Sequence, residues 1–326
     1  MILVTGGAGF IGLNFINGLL RFTDESKIMN LDNLTYSSNR QHLPTSERHI
    51  FVLGSINDRT IVDFLVSQKP KTIVHFAAET HVDNSIANPT KFVSTNINGT
   101  HILLESVRKN SPETLFVHVS TDEVYGSLGE EDPSFNESTP YNPSSPYSAS
   151  KASSDHLVKS WHRTYGLKTI ITNCSNNFGL YQHQEKLIPT VITKALNQLP
   201  IPIYGNGRQI RDWIHVDDHC SAIRFLIKNG EIGQSYCIGS NNELPNIEIV
   251  YKICQILDEI QPRQNNRSYA ELIEFVTDRP GHDWRYSLNT EKINRLGWKA
   301  TRNFDKELKK LVASYVDHSY NRIHHE

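Results

Sequence analysis

Tyr147 and Lys151 form Y-x-x-x-K, a spacing that on a helix puts both side chains on one face, one turn apart. A phenol with an ordinary pKa of about 10 is a poor base at neutral pH, but a nearby ammonium and a positive nicotinamide ring favour its phenolate. Such a pair can take the proton from an alcohol. The segment Ser120-Thr121-Asp122-Glu123-Val124-Tyr125-Gly126 adds Thr121, a hydroxyl that alcohol oxidation needs, and two adjacent carboxyl groups that it does not need. Neighbouring carboxyls push their pKa values apart, so one can stay a protonated general acid while the other works as an ionised base. Together they support removal of a proton from carbon coupled to loss of water. In isolation the first pattern also fits a surface pair, and the second a solvated turn.

A hydride acceptor is implied near the start of the chain. Gly6, Gly9 and Gly12 form G-x-x-G-x-x-G between an expected strand and an expected helix. Missing side chains there allow a tight turn and close approach of backbone N–H groups to a pyrophosphate, whose charge the helix N-terminus favours. Asp32 follows at the end of the second expected strand, where its carboxylate can accept hydrogen bonds from a ribose and would repel a 2′-phosphate, favouring NAD over NADP. Asn33, Leu34 and Thr35 continue that edge. Ala77 and Ala78 close another expected strand with small residues, as needed beside a dinucleotide, although ordinary strand-end packing would use them too.

The elements that must position these groups can be read from periodicity. Short β-branched runs alternate with longer amphipathic stretches, the pattern of β-α-β units around a parallel sheet buried on both faces. Strands are expected from Ile2 to Thr5, Lys27 to Leu31, Ile50 to Leu53, Thr72 to Phe76, Leu115 to Val119 and Thr169 to Asn173. Helices are expected from Phe10 to Arg21, Asp58 to Ser67, Pro89 to Lys109 and Pro146 to Tyr165. After about residue 176 the alternation weakens. Strands from Ile201 to Tyr204, Trp213 to Val216, Ser235 to Ile238 and Ile273 to Val276 mix with helices from Leu187 to Gln198, Asp217 to Lys228, Asn246 to Glu259 and Asp305 to Tyr320. The fold class is α/β, a Rossmann-type doubly wound parallel sheet (residues 1–176) with a smaller mixed α/β substrate lobe (177–326) and a soft boundary that elements cross. A loop with four prolines, from Asp132 to Pro146, could shape a pocket mouth.

Composition narrows the partners. Lys plus Arg number 33 against 35 Asp plus Glu, so a chain of net charge −2 without a basic block is poorly suited to binding nucleic acid through phosphate contacts. No apolar run approaches the roughly 18 residues of a membrane span, and MILVTGG offers no signal-peptide pattern, which places the chain in the cytosol. The four cysteines form no C-x-x-C pair and the 15 histidines no H-E-x-x-H pair, so neither a metal site nor a disulfide framework is expected.

In order and spacing, VTGGAGFIG, LDNLTY, HFAAETHVDNSI, STDEVYG, SSPYSASKASSDH, NCSNNFG, EKLIP, PIYGNG, QIRDWIHVDDH and DRPGHD resemble the extended short-chain dehydrogenase/reductases. More narrowly, they resemble the dTDP-glucose 4,6-dehydratases, from residue 1 to about residue 300. The resemblance implies that Tyr147, activated by Lys151 and assisted by Thr121, takes the C4 hydroxyl proton while hydride passes from C4 to a bound NAD. Glu123 then removes the C5 proton, Asp122 protonates the departing C6 hydroxyl, and hydride returns to C6. The product is a nucleotide-linked 4-keto-6-deoxyglucose.

The resemblance also implies contacts. For NAD they fall on Phe10, Ile11, Asp32, Asn33, Leu34, Thr35, Ile56, Ala77, Ala78, Thr80, Thr95, Tyr147, Lys151 and Asn177, with the glycine turn. For the nucleotide sugar they fall on Thr80, Thr121, Asn176, Glu185, Lys186, Leu187, Pro202, Ile203, Tyr204, Arg211, Asn246, Arg279 and His282. Arg211 offers a bidentate fork to a diphosphate, and Tyr204 either stacks on the base or packs in the lobe. A homodimer is implied, pairing the helices expected from Pro89 to Lys109 and Pro146 to Tyr165 with their copies.

The chain departs from the family at several positions. Ser55 stands where an Asp usually precedes the Ile and touches adenine; Leu180, His183 and Gln184 replace Pro, Phe and Pro; Trp284 replaces a basic residue. UDP-glucose and UDP-N-acetylglucosamine remain alternative substrates, since one methyl group on the base discriminates by only about 1–3 kcal/mol. A 4-epimerase would need no Asp-Glu pair, and the complete set of catalytic residues speaks against a non-catalytic NAD-binding sensor.

Overall fold

The N-terminal apolar run lies at the interior of a seven-stranded sheet, in a computed structural model that describes residues 1–24, 27–264 and 266–317. Its strands are β1 (Ile2–Thr5), β2 (Ile28–Asp32), β3 (His49–Leu53), β4 (Thr72–His75), β5 (Leu115–Thr121), β6 (Thr169–Cys174) and β10 (Ser235–Ile238). Between β6 and β10 in sequence come β7 (Asn176–Phe178), β8 (Ile201–Tyr204) and β9 (Ile210–His215), and β11 (Glu243–Pro245) and β12 (Ile273–Val276) follow. The large sheet is parallel throughout, in the order β10-β6-β5-β4-β1-β2-β3. The sequence order reverses between β1 and β4, and ligands in such sheets bind beyond the strand ends at this switch point.

The helices are α1 (Phe10–Phe22), α2 (Arg59–Ser67), α3 (Val82–Ala87), α4 (Pro89–Phe92), α5 (Thr100–Asn110), α6 (Pro146–Tyr165), α7 (Leu187–Leu196), α8 (Val216–Asn229), α9 (Asn246–Ile260), α10 (Glu291–Leu296) and α11 (Phe304–Val316). One face of the sheet packs on α1 and α8, around Phe15, Ile16, Ile223 and Leu226. The other packs on α2, α5 and α6, around Leu65, Leu103, Val107 and Val158. Both faces are covered, which is why these strands read as continuous apolar runs. In the second lobe, α7, α9 and α11 enclose a separate core with Ile192, Ile253 and Leu308, beside the paired strands β8 and β12 and the three-stranded sheet β11-β9-β7.

Several expectations need correction. The helix read from Pro89 to Lys109 is α4 and α5 joined by a π-helical segment, Val93–Gly99, whose wider turn leaves the apolar periodicity intact. The strand read from Trp213 to Val216 starts earlier, at Ile210, because Ile210, Arg211 and Asp212 pair with β11. It ends at His215, whose ring accepts from Asp217 N–H and caps α8. The helix read to Gln198 ends at Leu196, and Gln198 adopts φ +57°. Ser235–Ile238, read with the second lobe, extends the first sheet at its edge beyond β6. The last helix begins at Phe304, and the part of its expected span from 318 to Tyr320 lies outside the described residues. Among the described residues no helix is long and apolar enough to cross a membrane.

Candidate active site

The C-terminal ends of β1, β2, β4, β5 and β6 open into one cleft lined by the glycine turn, the catalytic segment and the start of α6. Gly6 has φ +74°, and a Cβ there would lie 2.5 Å from Ala77 N; a Cβ on Gly12 would run into the Gly6 carbonyl. Only glycine fits this crossing of two chains. Gly9 caps α1 without a side-chain hydrogen bond, and Phe10, Ile11 and Gly12 of the first turn line the cleft, where a helix N-terminus suits an anion. Asp32 binds the turn from the other side, its two oxygens accepting from Ala8 N–H at 2.9 Å and Leu34 N–H at 2.8 Å. Burial raises the Asp32 pKa, and these two amides oppose the rise. The cradle fits a dinucleotide.

Phe10, Ile11, Asn33, Thr35, Ser55, Ile56, Ala77, Ala78, Thr80, Thr95, Tyr147, Lys151 and Asn177 all line this cleft, as does the glycine turn. Leu34 does not; with φ +52° it contributes its backbone, through the bond to Asp32. Ser55 accepts from Asn57 N–H at 3.1 Å, which a serine at this family departure can do while still facing the cleft.

The catalytic segment turns sharply at the end of β5 into a 3₁₀ turn, Asp122–Tyr125, capped by Thr121. Thr121 Oγ1 donates to Asp122 Oδ1 at 3.1 Å and accepts from Glu123 N–H at 3.2 Å, and it acts on the Tyr147 phenol. One hydroxyl therefore joins both carboxyl residues. Asp122 is buried, and its Oδ2 has no hydrogen-bond partner among the described residues. Burial, and then the neighbouring Glu123, push the Asp122 pKa well above the ordinary range. Burial also raises Glu123, and Arg279, Lys186 and Arg211 oppose that rise in part. The two carboxyls therefore sit in unequal electrostatic surroundings.

Burial first, then Glu123, Cys174 and Asp122, push the Tyr147 phenol well above the ordinary value, with Thr121 opposing them only in part. A positive charge beside the phenol, such as oxidised nicotinamide carries, acts against this rise. The buried Lys151 ammonium donates to the Val119 carbonyl at 2.8 Å.

Sequence reading missed two supports of this cluster. Asn96, on the π-helical segment beside the cleft-lining Thr95, accepts from Glu79 N–H at 2.8 Å and donates to Glu79 O at 3.0 Å and to Ser150 Oγ at 2.8 Å. It fastens the strand-end loop to α6, and no local signal marks it. Asp155 is fully buried behind Lys151 on α6, and the continued spacing Tyr147, Lys151, Asp155 was its readable signal.

The residues expected on the nucleotide sugar divide into groups. Thr80, Thr121, Asn176, Glu185 and Lys186 line the same cleft, with Lys186 donating to Thr80 O at 3.2 Å. Glu185 accepts from Tyr36 OH at 3.1 Å and lies 3.7 Å from His81 and 3.6 Å from His183. Across the gap Tyr204 OH donates to Asp83 at 3.1 Å, and Arg279 pairs with the same carboxylate at 3.4 Å. His282 sits edge-on to the Tyr204 ring, 6.2 Å away, and holds Asp278 at 2.6 Å. Pro202 and Tyr204 point outward from β8, whereas the Ile203 side chain is buried in the second core and Leu187 packs against that core. Arg211 is buried over the Tyr286 ring, its fork donating to the carbonyls of Ile210, Trp284 and Asp283. Asn246 opens α9, and its buried Oδ1 has no hydrogen-bond partner among the described residues.

The family model described as GDP-mannose 4,6 dehydratase matches residues 3–311. The chain is 49% identical over 327 residues to a dTDP-glucose 4,6-dehydratase of Xanthomonas campestris pv. campestris (strain B100), covering 96% of this chain and 92% of that protein. It is 49% identical over 341 residues to dTDP-glucose 4,6-dehydratase 1 of Escherichia coli (strain K12), covering 98% and 93%. The solved dTDP-glucose 4,6-dehydratase of Streptomyces venezuelae with NAD bound superposes with a TM-score of 0.91 at 41% identity, covering 98% of each chain.

Proposed function

The chain belongs to the GDP-mannose 4,6 dehydratase family and, within it, to the dTDP-glucose 4,6-dehydratases, and on that footing we propose how its own residues share the reaction. It converts dTDP-glucose to dTDP-4-keto-6-deoxyglucose and water, with NAD as cofactor. The glycine turn, the start of α1 and Asp32 would hold NAD, which would supply the hydride acceptor and donor of the reaction and a positively charged ring.

Tyr147 removes the C4 hydroxyl proton, with Thr121 between it and the carboxyl pair and Lys151 holding positive charge beneath. The ketone formed at C4 acidifies the C5 proton. Glu123, drawn toward its ionised form by three cationic neighbours, takes that proton, and Asp122, kept neutral by burial, gives its own to the leaving C6 hydroxyl. Glu123 returns a proton to C5 once C6 has been reduced. The observation that carries this division is the contrast between the two carboxyls: Asp122 is closed in, and Glu123 faces Arg279, Lys186 and Arg211. Incubating the purified protein with dTDP-glucose, UDP-glucose and UDP-N-acetylglucosamine, and following the alkali-induced absorbance of a 4-keto product, tests the reading. We expect a ketone from dTDP-glucose; an NAD-loaded protein that forms none from any of the three would overturn it.

We assign residues 1–176 to NAD and the chemistry and 177–326 mainly to the nucleotide sugar, with β10 crossing back into the first sheet. The side chains of Asp83 and Tyr36 that meet Tyr204, Arg279 and Glu185 support a substrate seat between the two parts. We also assign a homodimer through α4 to α6, where Val93 and Tyr165 leave apolar surface exposed, and a cytoplasmic setting, in keeping with four buried free cysteines.

A further inference from the structure

We infer that Asp155 is a positioning residue for the Tyr147–Lys151 pair: its buried carboxylate supplies the counter-charge of Lys151 and ties the elements carrying the catalytic groups into one register. The inference rests on the assignment of proton removal to that pair. Asp155 lies one helical turn beyond Lys151 and is fully buried. Its Oδ2 accepts from Ser120 Oγ at 3.0 Å, Tyr141 OH at 2.8 Å and Asn173 Nδ2 at 3.2 Å. Asn173 Nδ2 also reaches the Thr121 carbonyl at 3.2 Å. One carboxylate thus joins α6, the end of β5, β6 and the proline-rich loop before α6.

Its electrical part follows by elimination. The groups acting on Lys151 are His75 from β4, His118 from β5, Cys174 from β6 and Asp155 from its own helix. Burial holds His75 well below its ordinary value, brings His118 down to about 4 and pushes Cys174 up to about 12. All three are neutral at pH 7. Asp155 alone stays ionised: burial raises it, but His118, with Nε2 3.2 Å from Oδ1, together with Lys151 and Ser120 bring it below the ordinary value. Tyr141 and Tyr125, also facing Asp155, are pushed up and stay neutral; Lys159 donates to Tyr141 OH at 3.2 Å from the outer side. Burial lowers the Lys151 pKa, and Asp155 is the first group opposing that fall. Without it, a buried lysine loses its proton more easily.

The test is a single-turnover measurement on the NAD-loaded enzyme, following absorbance of reduced cofactor after mixing with dTDP-glucose across pH. Asp155→Asn should keep its NAD, slow this step at pH 8 by more than about tenfold, and move the alkaline limb of the rate profile down by about one pH unit, because Lys151 deprotonates earlier. Asp155→Glu, which restores the charge, should bring the limb back toward wild type. A folded Asp155→Asn protein with an unmoved limb overturns the inference. Lys151→Met separates the two readings: if it leaves cofactor reduction at the wild-type rate, the Tyr147–Lys151 assignment itself fails. If it abolishes reduction while the Asp155→Asn limb stays put, only the role of Asp155 fails. Should Asp155→Asn not fold, Asp155→Ser, smaller and equally neutral, should move the alkaline limb down in the same way, and an unmoved alkaline limb in that folded variant overturns the inference.

Discussion

Asp122 and Glu123 are neighbours in sequence, yet the fold gives them opposite tasks. Glu123→Gln should retain NAD and slow exchange of the C5 proton with solvent by on the order of 10²–10⁴; wild-type exchange would remove Glu123 from its role. Asp122→Asn should slow loss of water more than the first oxidation, so reduced cofactor accumulates during turnover. Both carboxyls also have raised native pKa values, so the folded state binds more protons than the unfolded chain above about pH 4. Their contribution to stability is full below the unfolded value and is lost as pH rises through the native one. Replacement by neutral amides should therefore make the protein more stable at pH 8, by about 0.5–2 kcal/mol, with the gain shrinking toward pH 5. Chemical denaturation at the two pH values measures this, and amide variants less stable at pH 8 would refute it. The acid and base were legible in the segment itself, and Tyr147 and Lys151 in their helical spacing. The upward push on Tyr147 was not, because burial and Cys174 come from other elements, and the cations that restrain Glu123 lie far along the chain.

At the level of elements, α6 matters most because it carries Tyr147, Lys151 and Asp155. Its start is fixed by Pro146 in the first turn and by a capping box in which Ser145 Oγ accepts from Ser148 N–H at 3.1 Å and Ser148 Oγ from Ser145 N–H at 3.0 Å. Ser145→Ala should cost about 1 kcal/mol of stability. Because Tyr147 sits in that first turn, kcat should also fall several-fold while NAD content is unchanged; an unaltered kcat at the expected stability loss would show that the cap does not govern the tyrosine. The S-P-Y start of this helix was readable from sequence, as were the strands of the large sheet. The π-helical segment Val93–Gly99 was not: its extra residue per turn changes which side chains face the cleft without disturbing the apolar pattern.

On the scale of the molecule, Asp83 on α3 holds Tyr204 and Arg279 from the second lobe across the opening. These side chains are therefore partly ordered before substrate arrives. Asp83→Ala should raise KM for dTDP-glucose about three- to tenfold, matching about 0.5–1.5 kcal/mol for each side chain that must then be immobilised, with little change in kcat. A fall in kcat at constant KM would point instead to a role in the chemistry. The return of the chain to the first sheet has a consequence for its biogenesis. Strand β6, which delivers Asn173 and Cys174 to the site, has β5 on one side and β10 on the other, with Tyr236 buried in the seam. When the ribosome has made every catalytic residue, this strand still presents an open edge, and edges of that kind pair promiscuously with other chains. The nascent chain must emerge through Ile238 before the edge closes, so messages cut short within this interval should yield aggregates and no NAD-binding fragment.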